Sequence, residues 1–107
     1  MTNRLRIVFA GSPDFSVPTL DALMQSKHRV VAVYTQPDRP AGRGRKLSTS
    51  AVKQAAVRHE LPIMQPARFS DPGALDTLQQ IKADLIVVVA YGLILPQAVL
   101  DTPVHGC

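Results

Sequence analysis

Residues Leu85 to Val89 read L-I-V-V-V, five apolar residues in succession, four of them branched at Cβ. No polar residue alternates with them, so such a strand can put neither face in water and belongs in a parallel sheet covered on both sides. Asp84 to Ala90 is therefore expected to be the most strongly buried strand of the chain. Leu5 to Ala10, interrupted only by Arg6, and Val30 to Tyr34 are similar runs, and Pro62 to Gln65 is a shorter one. Helical patterns separate them. Leu20, Leu23 and Met24 fall at helical spacing after a turn in which Ser16 or Asp14 could cap and Pro18 fits only near the start. Ser50 to Glu60 places Val52, Ala55, Ala56 and His59 near one face, and a helix opened by Asp71 carries Leu75, Leu78 and Ile81 inward. Strand and helix alternation of this kind predicts an α/β, Rossmann-like parallel sheet with right-handed crossovers, helices on both faces and strand order 3-2-1-4.

In such sheets ligands bind beyond the carboxyl ends of the strands, where the order reverses between strands 1 and 4. That edge carries Gly11 to Phe15 and Tyr91 to Pro96. Val104 to Cys107 look like the approach to a further strand, so the expectation is a truncated sheet with the flank of strand 4 exposed. The 107 residues suit one domain. No apolar run approaches the roughly 18 residues of a membrane span, and the first residues lack the apolar core and cleavage site of a signal peptide, so the cytoplasm is the expected compartment. Cys107 has no partner for a disulfide, and His28, His59 and His105 have neither metal-site spacing nor an evident nucleophile.

The net charge of +4 is concentrated. Arg39, Arg43, Arg45, Lys46 and Lys53 face only Asp38 between residues 37 and 53, and the remainder of the chain is balanced. These cations sit on a proline- and glycine-rich connection, Thr35 to Thr49, about three times the usual length of a strand-to-helix loop. Guanidinium and ammonium groups on a glycine-bearing loop can follow a phosphate backbone. An ordinary solvated loop is the plain alternative, since no aromatic residue is interleaved for stacking on bases. The first turn, G-S-P-D-F-S, is neither a dinucleotide fingerprint nor a phosphate loop, which argues against NAD and ATP. Helix-start N–H groups there could hold an anion, although Pro13 donates none and Asp14 would repel one.

Three segments taken together, R-I-V-F-A-G-S-P-D-F-S-V-P-T-L, Y-T-Q-P-D-R-P-A-G-R-G-R-K-L and A-D-L-I-V-V-V-A-Y-G-L-I-L-P, resemble the methionyl-tRNA formyltransferase family, in order and at suitable spacing. The resemblance implies that residues 1–107 are the amino-terminal part of one formyltransferase catalytic domain, with a carboxyl-terminal barrel also absent. It implies formyl transfer from 10-formyltetrahydrofolate to the methionyl amino group of initiator tRNA in translation initiation. A neutral amine attacks a formyl carbon, which requires oxyanion stabilisation and proton transfer. The family associates an asparagine, a histidine and a later aspartate with those tasks. The first two lie in an N-x-H segment that would begin directly after the positions matching Gly106 and Cys107. The chain alone is thus expected to be inactive, and His105, despite its V-H-G context, matches a non-catalytic position.

Carried over residue by residue, the family's tRNA loop falls on Arg39, Arg43, Arg45 and Lys46, with Arg43 foremost. Tyr91, Gly92, Leu93, Ile94 and Leu95 would line part of the folate pocket, largely through backbone and apolar contacts, and Ser12, Pro13, Asp14 and Phe15 would lie near the aminoacyl end of the substrate. The implied partners are initiator methionyl-tRNA and folate, with no metal, membrane or DNA. A stand-alone RNA-binding module using the basic loop, or a formyltransferase acting on a small amine or nucleotide sugar, are the competing readings.

Overall fold

The computed structural model describes residues 4–41, 46–71, 73–93 and 95–107, with 39–41 and 46–48 described by their backbone alone. The elements in chain order are β1 (Arg6–Gly11), α1 (Val17–Gln25), β2 (Arg29–Tyr34), β3 (Arg39–Ala41), β4 (Lys46–Ser48), α2 (Ala51–Arg58), β5 (Ile63–Met64), α3 (Ala74–Ile81), β6 (Leu85–Val89) and α4 (Gln97–Leu100). A short 3-10 turn, Asp14–Ser16, joins β1 to α1.

The main sheet runs β5-β2-β1-β6 with every pairing parallel. Counting only its own strands in chain order, this is the expected 3-2-1-4. Phe9 in the centre lies opposite Val33 on one side and Val87 on the other. Side chains alternate between two cores. Phe9, Leu20, Val33, Val52, Ala55 and Ala56 fill the face covered by α1 and α2, while Val8, Ala10, Ala32, Tyr34, Leu78 and Ile86 fill the face covered by α3 and α4. Val30 and Val33 share a face although they are three residues apart. The register slips between the Ile7 and Val8 pairings, leaving Val31 as an extra residue in β2, and this bulge reverses the alternation.

Several local expectations need correction. β1, not β6, is the most buried strand: all of Ile7 to Gly11 is buried, whereas β6 buries only Ile86 and leaves Val88 39% exposed. The apolar run reflected a strand whose faces are both apolar, but among the described residues no strand pairs with its outer edge. Val104 to Cys107 do reach that edge, with the His105 amide donating to the Asp84 carbonyl at 2.7 Å and the Ile86 amide to the Gly106 carbonyl at 3.1 Å, yet they form turns. The helix expected from Asp71 begins at Ala74, after Gly73 in the left-handed region, and Asp71 instead accepts from Arg68. Ser16 does not cap α1; its hydroxyl donates to the Val89 carbonyl at 2.8 Å. Pro18 occupies the first turn of α1, where a missing N–H costs nothing. The long connection is not featureless, since β3 and β4 pair as an antiparallel ribbon with Pro40 opposite Leu47.

Candidate functional site at the carboxyl rim

The carboxyl ends of β1, β2 and β6 meet in a network of short polar side chains. Ser12, just past β1, donates its hydroxyl to the Tyr91 carbonyl at 2.9 Å and accepts from the Gln36 amide at 3.2 Å. Thr35, fully buried at the end of β2, lies 2.6 Å from the Ser50 hydroxyl and 3.4 Å from that of Ser12. Ser50 also accepts from the Lys53 amide at 3.0 Å, so one hydroxyl caps α2 and ties it to β2. The Gln36 side-chain amide donates to the Tyr91 carbonyl at 3.2 Å, joining β2 to β6. Each of these buried groups has a partner, which is the condition for a polar cluster inside a fold to stabilise it.

The turn after β6 is unusual. Ala90 has φ 53° and Gly92 φ 91°, so two left-handed residues flank Tyr91. A side chain at such a φ costs on the order of 1 kcal/mol, and the turn persists because the Tyr91 carbonyl is held by Ser12 and Gln36. A Cβ on Gly92 would overlap the Gln36 amide nitrogen, at 1.8 Å. At Gly11 a Cβ would lie 2.7 Å from the Val89 carbonyl oxygen, so the close approach of β1 to β6 requires glycine there.

Beneath this turn Tyr91 points into the core, 2% exposed, and forms an aromatic group with Phe69 and Tyr34. Tyr34 stacks on Phe69 at 5.4 Å, and Phe69 meets Tyr91 edge-on at 6.2 Å. Neither phenolic hydroxyl has a hydrogen-bond partner among the described residues. Burial pushes the Tyr34 phenol up to about 12, and burial with the neighbouring Tyr34 raises Tyr91 further still. Both are neutral donors at physiological pH. Beside the turn, Arg68, Ser70, Gly92, Leu93 and Pro96 border an open depression of about 450 Å³. That volume lies within the roughly 300–1,000 Å³ of small-molecule sites.

The base of the basic connection is fixed separately. Asp38 accepts from the Lys53 ammonium at 2.8 Å and from the Gln65 amide at 2.9 Å, and Gln65 also donates to the Gln36 carbonyl at 3.1 Å. The Lys53 hydrogen bond, then that of Gln65, holds the Asp38 carboxyl below its ordinary range. Lys53, one of the five cations of the segment, is therefore already paired.

Of the residues singled out in the sequence, Ser12 is at the centre of the network, Pro13 precedes the 3-10 turn, Asp14 is exposed on it and Phe15 is 65% exposed. Tyr91 offers its backbone to the rim and its ring to the core, Gly92 is exposed, and Leu93 and Leu95 pack partly against the α3 side. Arg39 and Lys46 stand in the ribbon by their backbone, Lys46 opposite Ala41, and Arg43, Arg45 and Ile94 lie outside the described residues. Thr35, Gln36, Ser50 and Gln65 were not singled out. Polar residues directly after the apolar run of β2, T-Q-P-D, were the available signal.

The formyl transferase family model matches residues 5–107. The chain is 62% identical over its whole length to the methionyl-tRNA formyltransferase of Hydrogenovibrio crunogenus, covering 34% of that protein. It is 61% identical, again over its whole length, to that of Pseudomonas syringae pv. syringae, covering 34% of it. The methionyl-tRNA formyltransferase of Legionella pneumophila is 58% identical over 98% of the chain, which covers 33% of that relative. The chain thus spans about a third of the length of the curated relatives it matches. With a doubly covered parallel sheet, the expected strand order and a family match over nearly every residue, this chain belongs to the formyl transferase family.

Proposed function

We propose that residues 1–107 supply the donor side and the acceptor-binding loop of an enzyme that transfers a formyl group from 10-formyltetrahydrofolate to the amino group of methionyl initiator tRNA in the cytoplasm. The observation that carries this reading is the juxtaposition at one rim: the basic connection and the Tyr91-Gly92 turn are linked through Gln36, whose amide holds the turn and whose carbonyl is held, by way of Gln65, to Asp38. A loop that holds tRNA and a pocket that holds the formyl donor have to be fixed relative to each other, because the reacting amine and formyl carbon must meet within about 3–3.5 Å.

In this reading Arg39, Arg43, Arg45 and Lys46 contact the phosphates of the acceptor arm. The backbone at Tyr91 to Leu95 borders the folate. Ser12 to Phe15 lie towards the aminoacyl end. Proton transfer and oxyanion stabilisation fall to the family's asparagine, histidine and aspartate, which have no counterpart in residues 1–107, so the chain alone transfers no formyl group. No metal takes part.

The test is steady-state formylation by a protein that carries this chain at the length of its relatives. Arg43→Ala with Arg45→Ala should raise KM for methionyl-tRNA at least tenfold, on the order of two charge-assisted phosphate contacts, with KM for the formyl donor unchanged. Equal losses for both substrates would contradict the assignment of the loop, and formylation by the 107-residue chain would contradict the assignment of proton transfer and oxyanion stabilisation to residues outside it.

A further inference from the structure

At the opposite rim, the amino ends of β1, β2 and β5 enclose a cleft of about 550 Å³. Arg4, Arg6, Lys27 and Arg29 line it, with Glu60 as the only carboxylate among its described lining residues, an excess of three positive charges within the lining; the Asp84 carboxylate, outside the lining, accepts the Arg6 amide at 2.7 Å. These cations come from two stretches of chain that are far apart in sequence, and outside residues 37–53 the chain carries no net charge. The fold therefore creates this patch by gathering cations at one edge. Arg4, Lys27 and Arg29 are exposed, and none has an acidic partner among the described residues.

Two members are held in place by the backbone. The Arg6 guanidinium donates to the Ile81 carbonyl at 2.7 Å and the Lys82 carbonyl at 3.3 Å, at the carboxyl end of α3, leaving its remaining N–H groups unengaged by them. His28 accepts the Leu5 amide on Nδ1 at 3.0 Å, so the proton of the neutral ring sits on Nε2 and the free nitrogen is a donor. Arginine, lysine and this histidine tautomer offer donors and no free acceptor. Val30, Val31 and Leu61 add an apolar part to the lining, which includes the bulge residue of β2. A lining of donors and positive charge, with a single acid, is complementary to an anion with several oxygens, and the volume exceeds what one phosphate would fill.

We propose that this amino-rim cleft is a binding site for a polyphosphate group, distinct from the carboxyl-rim site and independent of the formyl-transfer reading. Two sources share that chemistry, a free nucleoside di- or triphosphate and the phosphate backbone of RNA. Lys27, in the bend before β2, and Arg29, its first residue, contact the anion directly, Arg6 presents a fixed guanidinium, and Glu60 weakens binding.

The test is calorimetric titration of the chain with inorganic pyrophosphate, ADP and a short RNA duplex. Pyrophosphate should bind, and Lys27→Ala with Arg29→Ala should weaken it about tenfold, while Arg43→Ala with Arg45→Ala leaves it unchanged. Both substituted positions are exposed, so folding should persist, and a melt verifies it. Glu60→Gln should tighten binding about threefold, the effect of one charge several ångströms away in a largely aqueous setting. That second variant removes a charge without truncating a side chain. Competition of RNA with pyrophosphate identifies the backbone as the source, and displacement by ADP but not RNA identifies a free nucleotide. Absence of pyrophosphate binding, or a loss that follows Arg43 and Arg45 instead of Lys27 and Arg29, overturns the proposal.

Discussion

The two rims of this sheet use polar residues in opposite ways. At the carboxyl rim Ser12, Thr35, Gln36, Ser50, Asp38, Lys53 and Gln65 are engaged with one another or with main chain, and the only ion pair among the described residues there joins α2 to the base of the basic ribbon. At the amino rim Arg4, Lys27 and Arg29 face a cleft with no acidic partner among the described residues. The difference teaches how each rim uses its polar groups: the network at the carboxyl rim is held by short-range hydrogen bonds that position backbone, with the Asp38–Lys53 ion pair at the base of the ribbon, whereas the cations lining the amino rim have no acidic partner among the described residues. Substitutions within the hydrogen-bonded network of the first rim should change folding, and those of the cations lining the second should change anion binding with little effect on folding.

The largest effect is expected at Gly11. Gly11→Ala puts a carbon 2.7 Å from the Val89 carbonyl, between two central strands, and should destabilise by about 1–3 kcal/mol in chemical denaturation. Unchanged stability would mean that β1 and β6 are not so closely apposed. Ser50→Ala removes both the cap of α2 and the nearer partner of buried Thr35, a loss of about 1–2 kcal/mol; Thr35→Val in the same background should restore part of it, because the buried hydroxyl otherwise keeps only the 3.4 Å contact with Ser12.

Tyr34 sharpens the contrast from below. Its folded pKa, about 12, is raised above the unfolded value near 10, so its contribution is complete below roughly pH 10 and is lost as pH rises towards 12. Tyr34→Phe should flatten that alkaline decline and, having removed an unpaired buried hydroxyl, leave neutral-pH stability unchanged or raised by up to about 1 kcal/mol. A clear loss at neutral pH would reveal a partner for the hydroxyl. For Asp38 the sign is reversed: its folded pKa is lowered, so the tie to Lys53 is present at neutral pH and disappears as pH falls through that lowered value. Lys53→Met should make the acid limb of the stability curve shallower. The smallest effect on folding, within about 0.5 kcal/mol, is expected for Lys27→Ala with Arg29→Ala, which makes the amino rim a control for the other.

The sheet was legible in the sequence because strand-length apolar runs alternate with helical spacing, and strands separated by helices are expected to pair in parallel. Burial along β6 was not, since the five apolar residues report what the faces can tolerate and not whether a neighbouring strand lies alongside. The start of α3 was misplaced because Asp71 has the chemistry of a cap but pairs with Arg68, and Gly73 enters the helix from the left-handed region. At the rim, Gly11, Ser12 and the Tyr91-Gly92 turn could be located from strand ends alone, and T-Q-P-D after β2 was a signal for Thr35 and Gln36, while the pairing of Thr35 with Ser50 and of Gln65 with Gln36 and Asp38 could not be read, because those bonds join segments 15 to 29 residues apart. The amino-rim cleft was invisible for a related reason: charges that cancel along the chain are sorted to one edge only by folding.

Amide chemical-shift mapping of the chain with 10-formyltetrahydrofolate tests the separation of the rims most directly. The donor should shift the amides of Tyr91 to Leu95 and of neighbouring Ser12 to Phe15, proline excepted, and leave those of His28 to Val31 unmoved. Shifts confined to His28 to Val31, or none at saturating donor, would contradict the placement of the formyl-donor site at the carboxyl rim.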